Sequence, residues 1–229
     1  MAIASVSFLL LSGCVARRPA PAPRPAPTEQ RFPDPQAAVD ALLAACRTDD
    51  QAALLVIFGK DASALVSTGD PAADRERCRR LVEAAKQMTR LDPKGPDTLE
   101  LVVGYDDFPV PIPLVKDAGG WRFDTEQGGQ EIARRRVGAD ELEAITVCRA
   151  YRRSREAPAS PWWGYQFRTA PQQDALVAYP VRYGTTGIMT FMVGRDGRVY
   201  EKDLGEKTDK VVGAMKSYAP DGTWQPITD

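Results

Sequence analysis

The sequence predicts an α+β fold, with a helical N-terminal part packed on a small antiparallel sheet, followed by a mainly antiparallel β C-terminal unit with a closing helix. Three observations carry that expectation. Helix-start signals crowd into residues 34–90, short alternating apolar segments follow from residue 99, and a second group of strand-like segments occupies residues 163–204. With 229 residues, 43% hydrophobic and 27% charged, the chain can build one ordinary domain or two small ones.

Asp34-Pro35 pairs an N-cap carboxylate with Pro at the first helical position, and Val39, Leu42, Leu43 and Cys46 follow on one face. Thr48-Asp49-Asp50-Gln51 reads as a capping box opening a second helix with Leu54, Leu55 and Phe58, stopped by Gly59. Asp70-Pro71 starts a third, carrying Leu81, Val82, Ala85 and Met88. The texture changes after residues 92–96, where 99–103 and 112–116 read as strands and 117–120 turn into Trp121-Arg122-Phe123-Asp124. Asp124 caps one helix through Ile132 to Val137, and Ala139-Asp140 starts another through Leu142, Ile145 and Cys148. This order resembles small cone-shaped folds of the nuclear-transport-factor type, in fold only. Beyond a break at 158–161, residues 163–169, 175–179, 188–193 and 198–204 read as strands, with Gly194-Arg195-Asp196-Gly197 as a hairpin turn and a closing helix from 208 to 215. Alternation in the first of these sets Trp163, Tyr165 and Phe167 on the core side and Trp162 on the other.

The apolar run at residues 3–11 is about half of what a bilayer crossing needs. It fits a signal-peptide core, although no Lys or Arg precedes it. Leu11-Ser12-Gly13-Cys14 is similar to a bacterial lipobox, in which small residues admit the chain to the peptidase and the Cys14 thiol takes the lipid. Alternating Pro and Ala then favour polyproline II, giving a semi-rigid stalk of roughly 60 Å. The expected organisation is a lipoprotein signal peptide at 1–13, a lipidated Cys and Pro-rich linker at 14–34, an α+β domain at 35–157 and a β-rich unit at 158–229. Val15, not Asp, follows the Cys, which favours the outer membrane of the envelope over inner-membrane retention, with the domain facing the periplasm.

Composition excludes several chemistries. The chain has no histidine, so Ser-His and Cys-His nucleophile pairs and HExxH zinc sites are absent. A net charge of −1 argues against nucleic acid as a partner. No metal or cofactor motif is found, including P-loop, GxGxxG, CxxC, SxxK and GxSxG patterns.

Once Cys14 is lipidated, Cys46, Cys78 and Cys148 allow three pairings. Cys46–Cys78, both on early helices, is the favoured pair, and Cys148 sits on an apolar face where it serves as a small hydrophobe. Arg134, Arg135 and Arg136, with Arg149, Arg152 and Arg153, are candidates for an anion clamp. A solvated face offset by Glu131, Asp140, Glu141, Glu143 and Glu156 is the simpler account. Asp106, Asp107, Glu201 and Asp203 are the candidate carboxylates for acid–base work. A turn explains the first two more cheaply, and edge-strand solubility the others.

Three blocks in combination carry a family resemblance: Pro111 to Lys116 followed by Trp121-Arg122-Phe123-Asp124, Leu142 to Tyr151 with Val147-Cys148-Arg149-Ala150-Tyr151, and Tyr183-Gly184 through Met189-Thr190-Phe191 to Asp196-Gly197-Arg198-Val199-Tyr200 and Gly205. They resemble the bacterial family catalogued as domain of unknown function twenty-nine fifty, over residues 33–224. The resemblance implies an exported protein and no established activity. Between Tyr151 and Trp162 the chain lacks a segment rich in Gly, Tyr and Ser-Pro that members usually carry, so it is a shortened form. Residues 179–204 also have the cadence of the C-terminal sheet of type IV pilin-like proteins, without a pilin helix ahead of them.

The expected function is a lipid-anchored envelope protein serving non-enzymatic binding or assembly, held to the membrane by its N-terminal lipid, with an envelope protein or cell-wall partner. The alternative is a carboxylate-based envelope hydrolase or transferase, for example on cell-wall glycan, which needs two carboxyl groups about 5–10 Å apart in one pocket.

Overall fold

The computed structural model describes residues 29–170, 175–194 and 196–228. Cys14, the signal peptide, residues 15–28 of the linker and Arg195 lie outside the described residues. Helices α1 (Pro35–Arg47), α2 (Gln51–Phe58), α3 (Ser63–Val66) and α4 (Pro71–Gln87) come first. An antiparallel sheet of β1 (Thr89–Gly95), β2 (Thr98–Val103), β3 (Phe108–Pro109), β4 (Leu114–Asp117) and β5 (Gly120–Phe123) follows, in the order β1-β2-β4-β5 with β3 also on β2. Helix α5 (Thr125–Ser154) leads to a second antiparallel sheet, ordered β10-β9-β8-β7-β6, of β6 (Tyr165–Ala170), β7 (Ala175–Pro180), β8 (Met189–Val193), β9 (Val199–Asp203) and β10 (Gln225–Pro226). Helix α6 (Thr208–Ala214) lies between β9 and β10 in the chain. The fold is α+β, with helices ahead of antiparallel sheets.

The Asp-Pro starts work as their chemistry dictates. Asp34 accepts from Ala37 N at 2.8 Å, and Asp70 accepts from Ala72 and Ala73. Between them the cap differs from the expected capping box. Asp50 is the N-cap of α2, accepting from Ala53 N at 2.9 Å, while the Thr48 hydroxyl closes α1 by donating to Ala44 and Ala45 carbonyls. Asp70 also has help from Asp74, a buried carboxylate that accepts from Ser67 Oγ and from Thr68 N and Oγ1; the Thr68 amide foremost holds it below the usual carboxylate range.

The strands begin earlier than expected: residues 92–96 belong to β1 and the turn after it, with a register irregularity between Pro93 and Gly95. Pro is accommodated there because β1 is an edge strand, where a missing N–H breaks no inner ladder.

The helices expected on either side of Gly138 are one helix of 30 residues, roughly 45 Å long. A lone Gly costs about 1 kcal/mol without removing a hydrogen bond, and packing on both sides of it outweighs that. In the first half, Gly128 meets Ile112 so closely that an added methyl would lie 2.6 Å from Ile112 Cγ1. In the second half, Ala144, Cys148 and Tyr151 enter the core of the second sheet.

Two cores result. Val39, Leu42 and Leu43 of α1, Leu54, Ile57 and Phe58 of α2 and Val82 of α4 cover Leu101, Val103, Leu114 and Phe123, with Phe58 edge-on to Phe123 at 5.2 Å. In the second sheet every residue of β7 is buried, because Leu176 and Ala178 face α5 while Val177 and Tyr179 pack with Val212 of α6.

The structure joins Cys46 of α1 to Cys78 of α4, with Cα atoms 4.9 Å apart, and leaves Cys148 free and buried. The bond closes a loop across 32 positions, so the chain-entropy account gives it about 3–4 kcal/mol. Urea unfolding of the Cys46→Ala/Cys78→Ala double variant is therefore expected to show a loss of about that size, and non-reducing peptide mapping is expected to recover residues 46 and 78 in one linked pair. Gly128→Ala is expected to cost about 1–3 kcal/mol in the same assay, because Ile112 must move.

Candidate functional site

The candidate arginines share one helix but not one site. Arg134 and Arg149 stand 15 residues apart on α5, roughly 22 Å along its axis. Arg134 pairs with Glu131 at 3.1 Å. Arg135 pairs with the same carboxylate at 2.8 Å, donates to the Pro109 carbonyl at 2.8 Å and lies 5.7 Å above the Phe108 ring. It pins α5 to the β2–β3 hairpin. Arg136 acts electrostatically on Asp140, and Arg152 sits beside Gly197 in the β8–β9 turn.

The four candidate carboxylates are likewise dispersed. Asp106 and Asp107 lie exposed in the turn after β2, where Asp107 accepts from Arg90 at 2.9 Å. Glu201 and Asp203 are on β9, and Asp203 accepts from Tyr183 Oη at 3.1 Å and Gly205 N at 2.7 Å. Among the described residues no hydrogen bond or ion pair joins the two couples, and no group of three or more acidic or cysteine ligands is placed to hold a metal ion. Burial pushes the Cys148 thiol up to about 12, which keeps it protonated and unreactive at neutral pH.

A different group of residues meets where the middle of α5 touches the second sheet. Asp140 lies on the same helix face as Ala144, Cys148 and Tyr151, all buried. It is 7% exposed, and no hydrogen-bond partner reaches its carboxylate among the described residues. Loss of water raises its pKa, against a smaller opposing pull from Arg136. In Glu141, next to it, Oε1 accepts from Ile188 N at 2.8 Å and Met189 N at 3.0 Å and so starts β8. Tyr165 is completely buried and donates to the Met189 carbonyl at 2.8 Å, with burial raising its pKa.

Over Asp140 lies a tight turn. Trp162 and Tyr165 exchange backbone hydrogen bonds of 2.9 Å, and Val181 N donates to Gly164 O at 2.9 Å. Gly164 has φ +72°, and a methyl on it would fall 2.8 Å from Thr186 Cβ and 2.9 Å from Asp140 Oδ2, so both backbone and space demand glycine. Trp163 also has positive φ, at 45°, a conformation that a bulky side chain adopts only under constraint. The core-side placement of Trp163 does not hold. The strand begins at Tyr165, leaving Trp163 on the turn with its side chain 55% exposed and Trp162 47% exposed, while Tyr165 and Phe167 are buried as alternation requires.

Two clefts lie elsewhere. One, of about 540 Å³, is lined by Asp196, Tyr200 and Tyr218, but Asp196 already accepts from Tyr200 Oη at 2.6 Å and from Arg198 N at 3.1 Å. The other, of about 470 Å³, is an apolar groove of alanines between α1 and α2, with Gln30 at its rim.

Residues 29–160 and 171–227 match the family described as "Protein of unknown function (DUF2950)". The chain belongs to that family. No curated protein and no solved structure matches it. The two matched blocks leave out residues 161–170, so the tryptophan turn of this DUF2950 chain falls in the unmatched interval. Sequence reasoning treated Asp140 as a helix start and as a countercharge. The available signal was its spacing, since a carboxylate four residues before Ala144 and eight before Cys148 falls on an apolar stripe.

The raised Asp140 pKa fixes the sign of a pH effect. A carboxyl whose folded pKa is raised adds stability in full below its unfolded pKa, and that stability is lost as pH rises through the folded value. Arg136 from the same helix and Tyr165 from β6 are the groups coupled to it. Asp140→Asn is therefore expected to raise Tm at pH 7–8 and leave it nearly unchanged at pH 4, checked by thermal unfolding across that range.

Proposed function

We propose that this DUF2950 chain is a lipid-anchored, non-enzymatic binding domain of the bacterial envelope, tethered through Cys14. The observation that carries the reading is the Cys46–Cys78 bond, because disulfides persist in oxidising compartments outside the cytosol. The exit of the chain supports a tether as well. Phe32 exchanges backbone hydrogen bonds of 2.8 and 2.9 Å with Trp121, and Glu29 accepts from Thr125 Oγ1 at 2.7 Å and from Arg122 at 3.5 Å. Arg31 pairs with Asp117 alongside. The last residues of the expected linker, from Glu29 to Phe32, are thus fastened to the β5 edge of the first sheet. Against catalysis stand Asp107 and Asp203, each spent on local structure.

The carboxylate-enzyme reading has one observation in its favour: the raised pKa of Asp140 suits a general acid. Its neighbour in the chain, Glu141, has Oε1 committed to two backbone amides and acts as a structural acceptor, which argues against a two-carboxyl mechanism.

Labelled palmitate and membrane fractionation, comparing the native chain with Cys14→Ser, test the tether. Label and membrane association are expected in the native chain and lost in the variant. Identical behaviour of the two overturns the anchored reading.

A further inference from the structure

Three departures from ordinary folding rules converge at one place on the second sheet. A carboxylate on a buried helix face makes no hydrogen bond to the protein and keeps its oxygens within reach of solvent, a tryptophan holds a positive φ, and two indoles are left about half exposed. The strained φ alone costs on the order of 1–3 kcal/mol. All three fall within Asp140 and the Trp162–Gly164 turn that rests on it. Packing does not require this arrangement, because Ala144, Cys148 and Tyr151 complete the buried stripe without it. Such local conflicts mark binding sites when they coincide.

We infer that Asp140 and the Trp162–Trp163 turn form a surface site for a saccharide strand. A carboxylate without donors calls for hydroxyl or amide N–H groups from a ligand, and exposed indoles call for a flat apolar face. A sugar ring supplies both, with hydroxyls at its edge and C–H groups on its face. Neither of the two clefts described above is lined by these residues, and a site outside those clefts suits a ligand that runs across the surface, such as a glycan polymer, better than a small molecule. A membrane surface fits less well. Anionic head groups would meet the Asp140 carboxylate beneath the turn. The site deepens the binding reading given above and rests on it for the compartment that supplies glycan.

The test uses the full chain in detergent micelles, titrated with the N-acetylglucosamine trimer, followed by indole fluorescence and calorimetry. Saturable binding is expected, weakened about ten-fold or more by Asp140→Asn and by Trp163→Gly. Both variants are designed to keep the turn, since Asn matches Asp in shape and Gly accepts the positive φ. Arg134→Ala, six residues earlier on another face of α5 and paired with Glu131, is expected to bind as the native chain does. Three results would overturn the proposal: no binding of the trimer to the native chain at millimolar concentration, undiminished binding in both site variants with the fold retained, or preferential binding to phosphatidylglycerol vesicles that contain no sugar. Trimer binding retained in a chain that takes no palmitate would sink the tether and leave this site standing.

Discussion

The uninterrupted run of α5 through Gly138 is the constraint on which the arrangement of the rest depends. Its first half is pinned to the first sheet by Gly128 against Ile112 and by Arg135 on Pro109 and Phe108. Its second half supplies Ala144, Cys148 and Tyr151 to the second sheet. A rod of roughly 45 Å thus walls the second core and touches the first at Ile112. The second sheet is only five strands and one short helix, and a unit so small needs that borrowed apolar surface to bury β7 on both faces.

Much of this architecture can be read from local chemistry. Asp-Pro pairs at 34–35 and 70–71 place the starts of α1 and α4, and the turn before Trp121 places β4 and β5. What escapes is what depends on position in the whole. Pro93 looks like a breaker until β1 is known to be an edge, and Gly138 looks like a helix end until both flanks are seen to pack. The register of β6 begins two residues later than alternation suggests, because Gly164 and the backbone exchange between Trp162 and Tyr165 form a turn first.

The candidate site was less legible for a related reason. Residue types suited to chemistry attract notice in runs, such as Arg134 to Arg136 or Asp106-Asp107, yet runs on a helix or turn fan outward and find partners in solvent-facing neighbours. Asp140 stands in no acidic run on the buried face; it is unusual only in sharing that face with apolar residues. Its isolation depends on a turn more than twenty residues away in sequence, whose fold no local pattern announces.

The fastening of Glu29 to Phe32 on β5 also has a mechanical meaning. A pull on the chain ahead of Glu29 meets the Arg122 and Thr125 contacts and the paired Phe32–Trp121 amides before it reaches any helix. Should that clasp yield, α1 would pay out only as far as Cys46, since the bond to Cys78 carries the load past the intervening loop. The loop would otherwise release about 100 Å of extended chain. The covalent link therefore acts as a stop on extension, and the first sheet, with α4 laid against it, bears the strain as a unit.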